Sequence, residues 1–183
     1  LALALTLAGG TGAPYTVSGP ASVAAGASAT VTVTPKAIPS TSSTAPDAFL
    51  DTLSIAATGG PVNETHTVAL HQTAQGAVLS LNPASLSLNA NLGGSQSKNF
   101  TVDNAGNLAA AWTLSVGGTN QSNFSVSPTS GTSNAGGSVT AAVTFSAPLL
   151  GGTGSRSANI GIASSAVRCA PLPSALTLSG TIN

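Results

Sequence analysis

Apolar residues alternate with Thr and Ser in short runs along the whole chain, and clusters of Gly, Pro, Asn and Ser end each run after a few residues. A period of two sends successive side chains to opposite faces of an extended backbone, whereas a helix needs apolar residues three and four apart. The chain is therefore expected to be all-β. In the second half the runs are residues 78–88, broken near Asn82 and Pro83, then 98–103, 110–116, 123–127, 138–146, 158–163 and 175–182. Short strands separated by turn residues at this spacing predict a seven-stranded β-sandwich. Its inward residues run from Leu79, Leu81, Leu86 and Leu88 through Phe100, Trp112 and Phe145 to Ile160, Leu176 and Leu178, with Thr and Ser on solvated faces between them.

Charge narrows the functions open to such a chain. Four Lys and Arg balance four Asp and Glu among 183 residues, so charged side chains make up 4 % of the sequence. An ordinary soluble domain carries about a quarter. A chain with no net field does not attract a phosphate backbone or an anionic lipid surface, which excludes nucleic acid as a partner. Helical bundles draw on Glu, Lys and Arg and are disfavoured for the same reason. Two His, one Cys and four scattered carboxylates offer little material for acid/base chemistry, and no enzyme is expected. The 42 % hydrophobic content suffices for a core, and 21 Gly with 11 Pro is too few for a low-complexity chain. Cys169 has no second cysteine to pair with, and no apolar run is long enough to form a transmembrane helix.

The first half repeats the second with its beginning missing. Leu5-Thr6-Leu7, followed by Gly9-Gly10-Thr11, matches Trp112-Thr113-Leu114, followed by Gly117-Gly118-Thr119. Tyr15 to Ser18 matches Phe124 to Ser127, residues 26–35 match 137–148, Leu53 to Ile55 matches Ile160 to Ile162, and Val68 to Leu70 matches Leu176 to Leu178. The offset stays within about 107 to 112 residues, the period of a tandem sandwich domain. Two domains are expected: an incomplete sandwich of five strands over residues 1–75, lacking its first two strands, and a complete one over 77–183. The opening block, residues 1–12, has the apolar character of a secretory signal, but Leu1, Leu3, Leu5 and Leu7 alternate strictly and favour a strand. Without an initiator Met, the sequence reads as a processed product or a piece of a longer chain.

Several motifs of the second half follow one another in a recognisable order. Leu81-Asn82-Pro83-Ala84-Ser85-Leu86 opens it, Phe100-Thr101-Val102-Asp103-Asn104 leads into a turn, Phe124-Ser125-Val126-Ser127-Pro128 follows, and Leu176-Thr177-Leu178-Ser179-Gly180 closes it. The pattern resembles the immunoglobulin-like ASH domain and its bacterial relatives, the choice-of-anchor D repeats. The resemblance covers the second domain and, more weakly, the first. It implies tandem immunoglobulin-like domains of large surface-exposed or secreted bacterial proteins, where they act as stalks and interaction modules. It implies no catalytic residue.

The residues with chemical potential are few. His66 and His71 lie five apart in or beside one expected strand, a spacing that on a regular strand sends them to opposite sides, and Glu64 with His66 makes only two ligands, short of a zinc site. Asp47 and Asp51 flank a strand start; too few oxygens accompany them for calcium, and they read as a solvated strand edge or turn cap. Cys169 follows Arg168 in the loop before the last strand, where a thiol is incidental or, if exposed, able to crosslink chains. Gly117-Gly118 and the glycines of residues 151–154 precede no helix and read as turns rather than phosphate loops. Thr30, Thr32 and Thr34 are too few for an extended hydroxyl face. Asn63, Asn99, Asn120 and Asn123 each open a glycosylation sequon. No catalytic, metal or cofactor residue is therefore assigned.

A neutral sandwich with almost no charges on its strand edges is prone to edge-to-edge association unless neighbours cover it. The expected role is structural: an extracellular or cell-surface protein assembling into a fibre, appendage or matrix through strand and face contacts, by self-association or with other surface proteins. A strand from another chain would complete residues 1–75. The alternative is an adhesin or spacer that binds a glycan or protein receptor through the loops at residues 37–47 and 116–122.

Overall fold

The computed structural model describes every residue except Ser40 and Val62, and the chain divides into two compact units, Leu1–Ala74 and Gln75–Asn183. The fold is all-β, and among the described residues no helix is long and apolar enough to cross a membrane.

The first unit contains β1 (Ala2–Leu7), β2 (Tyr15–Ser18), β3 (Thr32–Pro35), β4 (Asp51–Thr58) and β5 (Glu64–Leu70). β4 lies between β1 and β5 in an antiparallel sheet of three, and β2 pairs with β3 in a sheet of two. The block at residues 1–12 thus supplies β1, whose Leu3, Leu5 and Leu7 are half-buried on one face. The expected strand over residues 26–35 shrinks to four residues.

The second unit contains β6 (Leu79–Asn82), β7 (Ser85–Ala90), β8 (Ser95–Asn104), β9 (Ala110–Gly117), β10 (Phe124–Ser127), β11 (Ser130–Ser133), β12 (Ser138–Ser146), β13 (Gly154–Ala163) and β14 (Leu176–Ile182). One sheet has the order β10-β12-β8-β6 and the other β11-β9-β13-β14-β7, packed as an immunoglobulin-like sandwich around one core. It has nine strands, not the expected seven, for two reasons. The run at residues 78–88 is two strands, because the chain leaves one sheet at Asn82 and joins the other at Ser85; Pro83, with no N–H for a ladder, sits in the crossing. β6 then runs antiparallel to β8, and β7 parallel to β14. The other addition, β11, reads Ser-Gly-Thr-Ser, so it contains no apolar residue for periodicity to detect. Its Gly131 lies against the Trp112 indole, where a methyl group would come within 2.6 Å of the ring.

The core of this unit joins both sheets. Phe100, Val102, Val143 and Phe145 come from one and Leu88, Trp112, Ile160, Leu176 and Leu178 from the other, all buried. Two polar groups cross the interior with full satisfaction. Trp112 Nε1 donates to Ser133 Oγ, which donates to the Val102 carbonyl, both at 2.9 Å. Asn104, which closes the Phe-Thr-Val-x-Asn motif, accepts from the Val78 and Gly106 amides and donates to the Leu108, Ser133 and Asn134 carbonyls. One side chain therefore ties together the entry to β6, the turn after β8 and the end of β11. Asn104→Ala strands those backbone groups away from water and should lower the unfolding free energy of the second unit by on the order of 3 kcal/mol. Denaturant titration followed by the fluorescence of Trp112, the single tryptophan, would measure the loss; a change within 0.5 kcal/mol, about the range of an ordinary surface substitution, would contradict the network.

Candidate functional site

The pairing registers align the two units strand by strand. Leu53 lies between Leu7 and Val68 as Ile160 lies between Val116 and Leu176. Leu7 therefore takes the place of Val116, two residues along from the Leu114 of the sequence match. A slip of two keeps every side chain on its face, so alternation alone does not detect it. By the same register Asp51 stands where Ala158 stands, and Leu70 where Leu178 stands. Gln72, two residues on, then occupies the place of Gly180. In the other sheet Tyr15 faces Pro35 as Phe124 faces Phe145. The segment at Ala21 and Val23, bonded to Leu3 and Leu1 along the outer side of β1, takes the place of β11.

Among the described residues, the first unit has no counterparts of β6, β7 and β8. The effect is visible where those strands would lie. β12 is nine residues long with β8 paired along it, whereas β3, with β2 as its one neighbour, is four residues long. β5 has a neighbour on one side, and its inward Val68 is 45 % exposed, while the equivalent Leu176 is 1 % exposed. An unpaired edge beside an exposed inner face is a surface for strand addition.

The interior of the first unit is polar at positions where that of the second unit is apolar. In the second unit Phe124 packs on Phe145 with ring centroids 4.9 Å apart, and a methyl at Gly180 would meet the Phe145 ring at 2.4 Å. In the first unit Tyr15, Asp51 and Gln72 replace Phe124, Ala158 and Gly180. Asp51 is 6 % exposed and Tyr15 5 %, so the expected solvated edge at Asp51 is instead an interior position. Asp51 Oδ1 accepts from the Gly9 amide at 3.1 Å and the Thr52 amide at 2.7 Å, which caps the turn after β1. The Tyr15 hydroxyl, Asp51 Oδ2 and Gln72 Oε1 are buried without a hydrogen-bond partner. No such atom occurs in the second unit among the described residues.

The remaining candidates are dispersed. His66 Nε2 lies 3.2 Å from Glu64 Oε2, and His71 Nδ1 lies 3.0 Å from Asp47 Oδ2, so each imidazole has its own exposed acid. Among the described residues no three His, Cys, Asp or Glu side chains gather as metal ligands. Cys169 is a free thiol, buried against Gly76 rather than exposed. An open groove of about 670 Å³ runs past Trp112, Gly131 and Ser164, but the indole itself is 2 % exposed and offers no stacking face. The large apolar side chains that do reach solvent, Leu149 and Leu150 foremost, are aliphatic. Of the sequon residues, Asn63 and Asn99 are exposed, whereas Asn120 accepts from the Ser157 amide and Asn123 donates to the Ser146 carbonyl.

Neither a protein-family model nor a curated protein sequence matches the chain. Among solved structures it is similar to the ASH/PapD-like domain 7 of human CEP192, at 18 % identity and a TM-score of 0.43 over 64 % of this chain and 94 % of that one. It is also similar to the CupB2 chaperone of Pseudomonas aeruginosa, at 12 % identity and a TM-score of 0.43 over 55 % of this chain and 54 % of that one. The CsuC-CsuE chaperone and tip-adhesion subunit complex of Acinetobacter baumannii gives 16 % identity and a TM-score of 0.42 over 57 % of this chain and 56 % of that one. Likenesses at this level carry no inference about activity, and the strand order described above carries the fold.

Burial first, and then the negative charges of Asp47 and Asp51, hold the Tyr15 phenol above its ordinary value of 10.0. An unfolded tyrosine ionises before the folded one, so the first unit should lose stability as pH rises above 10.0, the value for an unburied phenol. Tyr15 is the single tyrosine, and its absorbance titration should show a midpoint above 10.0 that falls in Asp51→Asn. A midpoint at or below 10.0 would mean that the phenol is solvated.

Proposed function

We propose that this chain is a structural, non-enzymatic module of an extracellular or cell-surface assembly, and that its first unit receives an extended strand from a neighbour. The observation that carries the reading is the outer edge of β5, unpaired among the described residues, beside the exposed Val68. The second unit supports it by contrast, since there β7 covers the equivalent edge and Leu176 and Leu178 are buried. Backbone hydrogen bonds along β5 would supply affinity, and side chains entering the open interior would supply selectivity. Scarcity of charge fits this role, because edges covered in an assembly do not need the Lys and Glu that isolated sheets use to repel copies of themselves. The choice-of-anchor D resemblance, with its repeats in surface proteins, points the same way. Binding to a receptor through loops has less support: the residues at 116–122 carry no aromatic side chain.

Purified chain should form oligomers whose mass rises with concentration in size-exclusion chromatography with light scattering, and particles or fibres in electron micrographs. Val68→Lys places a charge on the open face and should return the population to monomer without disturbing the second unit. A monomer at every soluble concentration, with backbone amides of residues 66–72 slow to exchange, would overturn the proposal.

A further inference from the structure

The strand-receiving reading leaves open whose strand lies on β5, and the residues of β5 bear on that. In the second unit β7 places two inward leucines, Leu86 and Leu88, beside Leu178 and Gly180 of β14. β5 carries inward aliphatics at the same spacing. Val68 pairs with the buried Leu53 and Leu70 with the buried Asp51, so both side chains face the interior, while Thr67 and Ala69 face outward. Nothing along β5 guards it against its own kind: from Glu64 to Leu70 there is no Lys, Arg or Pro, and its one acid stands at the first position.

We propose that the strand received by β5 is β5 of a second copy, antiparallel to it and related by a two-fold axis at Ala69. The proposal rests on the strand-receiving reading and names the partner. Direction follows from charge. A parallel pair in register sets the two Glu64 carboxylates against each other, whereas an antiparallel pair about Ala69 carries them to opposite ends of the joint sheet, about 33 Å apart. Register follows from the inner face. With both inner faces on one side, residues of like parity stand opposite each other. An axis at Ala69 sets Val68 against Leu70 of the second copy and Leu70 against its Val68, so each copy receives two aliphatics, as β14 does from β7. Moving the axis back to Val68 sets Leu70 against His66, and moving it on to Leu70 sets Val68 against Gln72. Ala69, small and exposed, meets its own symmetry mate on the outer face. Each edge is then the cover of the other, and the contact closes at two copies, so larger particles need a second contact.

Cysteine crosslinking of the full chain tests the axis. Residues directly opposite in an antiparallel pair have Cα atoms about 4.5–5.5 Å apart, within reach of a disulfide. Ala69→Cys should therefore give a covalent dimer in oxidised glutathione, whereas Thr67→Cys, whose mate lies about 13 Å along the strand, should give none. Mapping the linked peptides separates this bond from any at Cys169, which is buried. Ala69→Lys alone should weaken dimerisation about tenfold, and an equal mixture with Ala69→Glu should restore it. If the wild-type chain associates but Ala69→Cys does not crosslink, or Thr67→Cys crosslinks as readily, the strand or its register is another: the proposal is overturned and strand reception stands. A mixture of the Lys and Glu variants that stays monomeric overturns it as well. A wild-type chain that is monomeric at every soluble concentration ends both.

Discussion

A β-sandwich keeps its interior dry only if the outermost strand of each sheet has a partner or lies at a harmless margin, and in the second unit one stretch of chain meets that demand for both sheets. β6 closes the side of β8, the crossing at Pro83 carries the backbone over, and β7 closes the side of β14. Leu79 and Leu81 enter the core from one sheet, and Leu86 and Leu88 from the other. The remaining features depend on this closure. With the interior sealed, Trp112, Ser133 and Asn104 form buried hydrogen bonds at full value, because no water competes for them.

The first unit contains the same strands from β9 onward without that closing stretch. Its β4 still forms a proper centre, with Leu53 buried between β1 and β5. Outward from there order declines: β3 is paired over four residues, and the inner face of β5 reaches solvent. This gradient follows from the hydrogen-bonding needs of sheets, since a strand persists as far as its partner does. The replacement of Phe124, Ala158 and Gly180 by Tyr15, Asp51 and Gln72 then gives the interior of this unit buried polar atoms that its counterpart does not have. The two units share a template and differ in what they need to be completed.

Most of the architecture was legible because a solvated sandwich writes itself as alternation. The run at residues 138–146 coincides with β12, and Phe100, Trp112, Phe145, Ile160 and Leu178 lie inward as their parity requires. What escaped detection has identifiable reasons. β11 contains no apolar residue, and its place is set by Trp112 across the pair. The division of residues 78–88 between two sheets needs the positions of both β8 and β14. Asn104 was visible as a motif residue, but three of its five hydrogen bonds reach residues 26 to 30 positions away in the sequence. Asp51 read as a solvated acid because nothing local distinguishes a turn-capping aspartate at a surface from one on the inward face of its strand.

By itself the sequence determined the fold class, the tandem repeat and most of the core of residues 77–183. Each of these follows from local period or composition. Tertiary structure decided which edges are open, how the two units correspond in register, and that Tyr15, Asp51 and Gln72 fall on equivalents of apolar core positions. Those depend on which strand lies beside which. A side chain's neighbours across a sheet are set by long-range pairing, and a slip of two residues leaves the alternation unchanged while altering every contact.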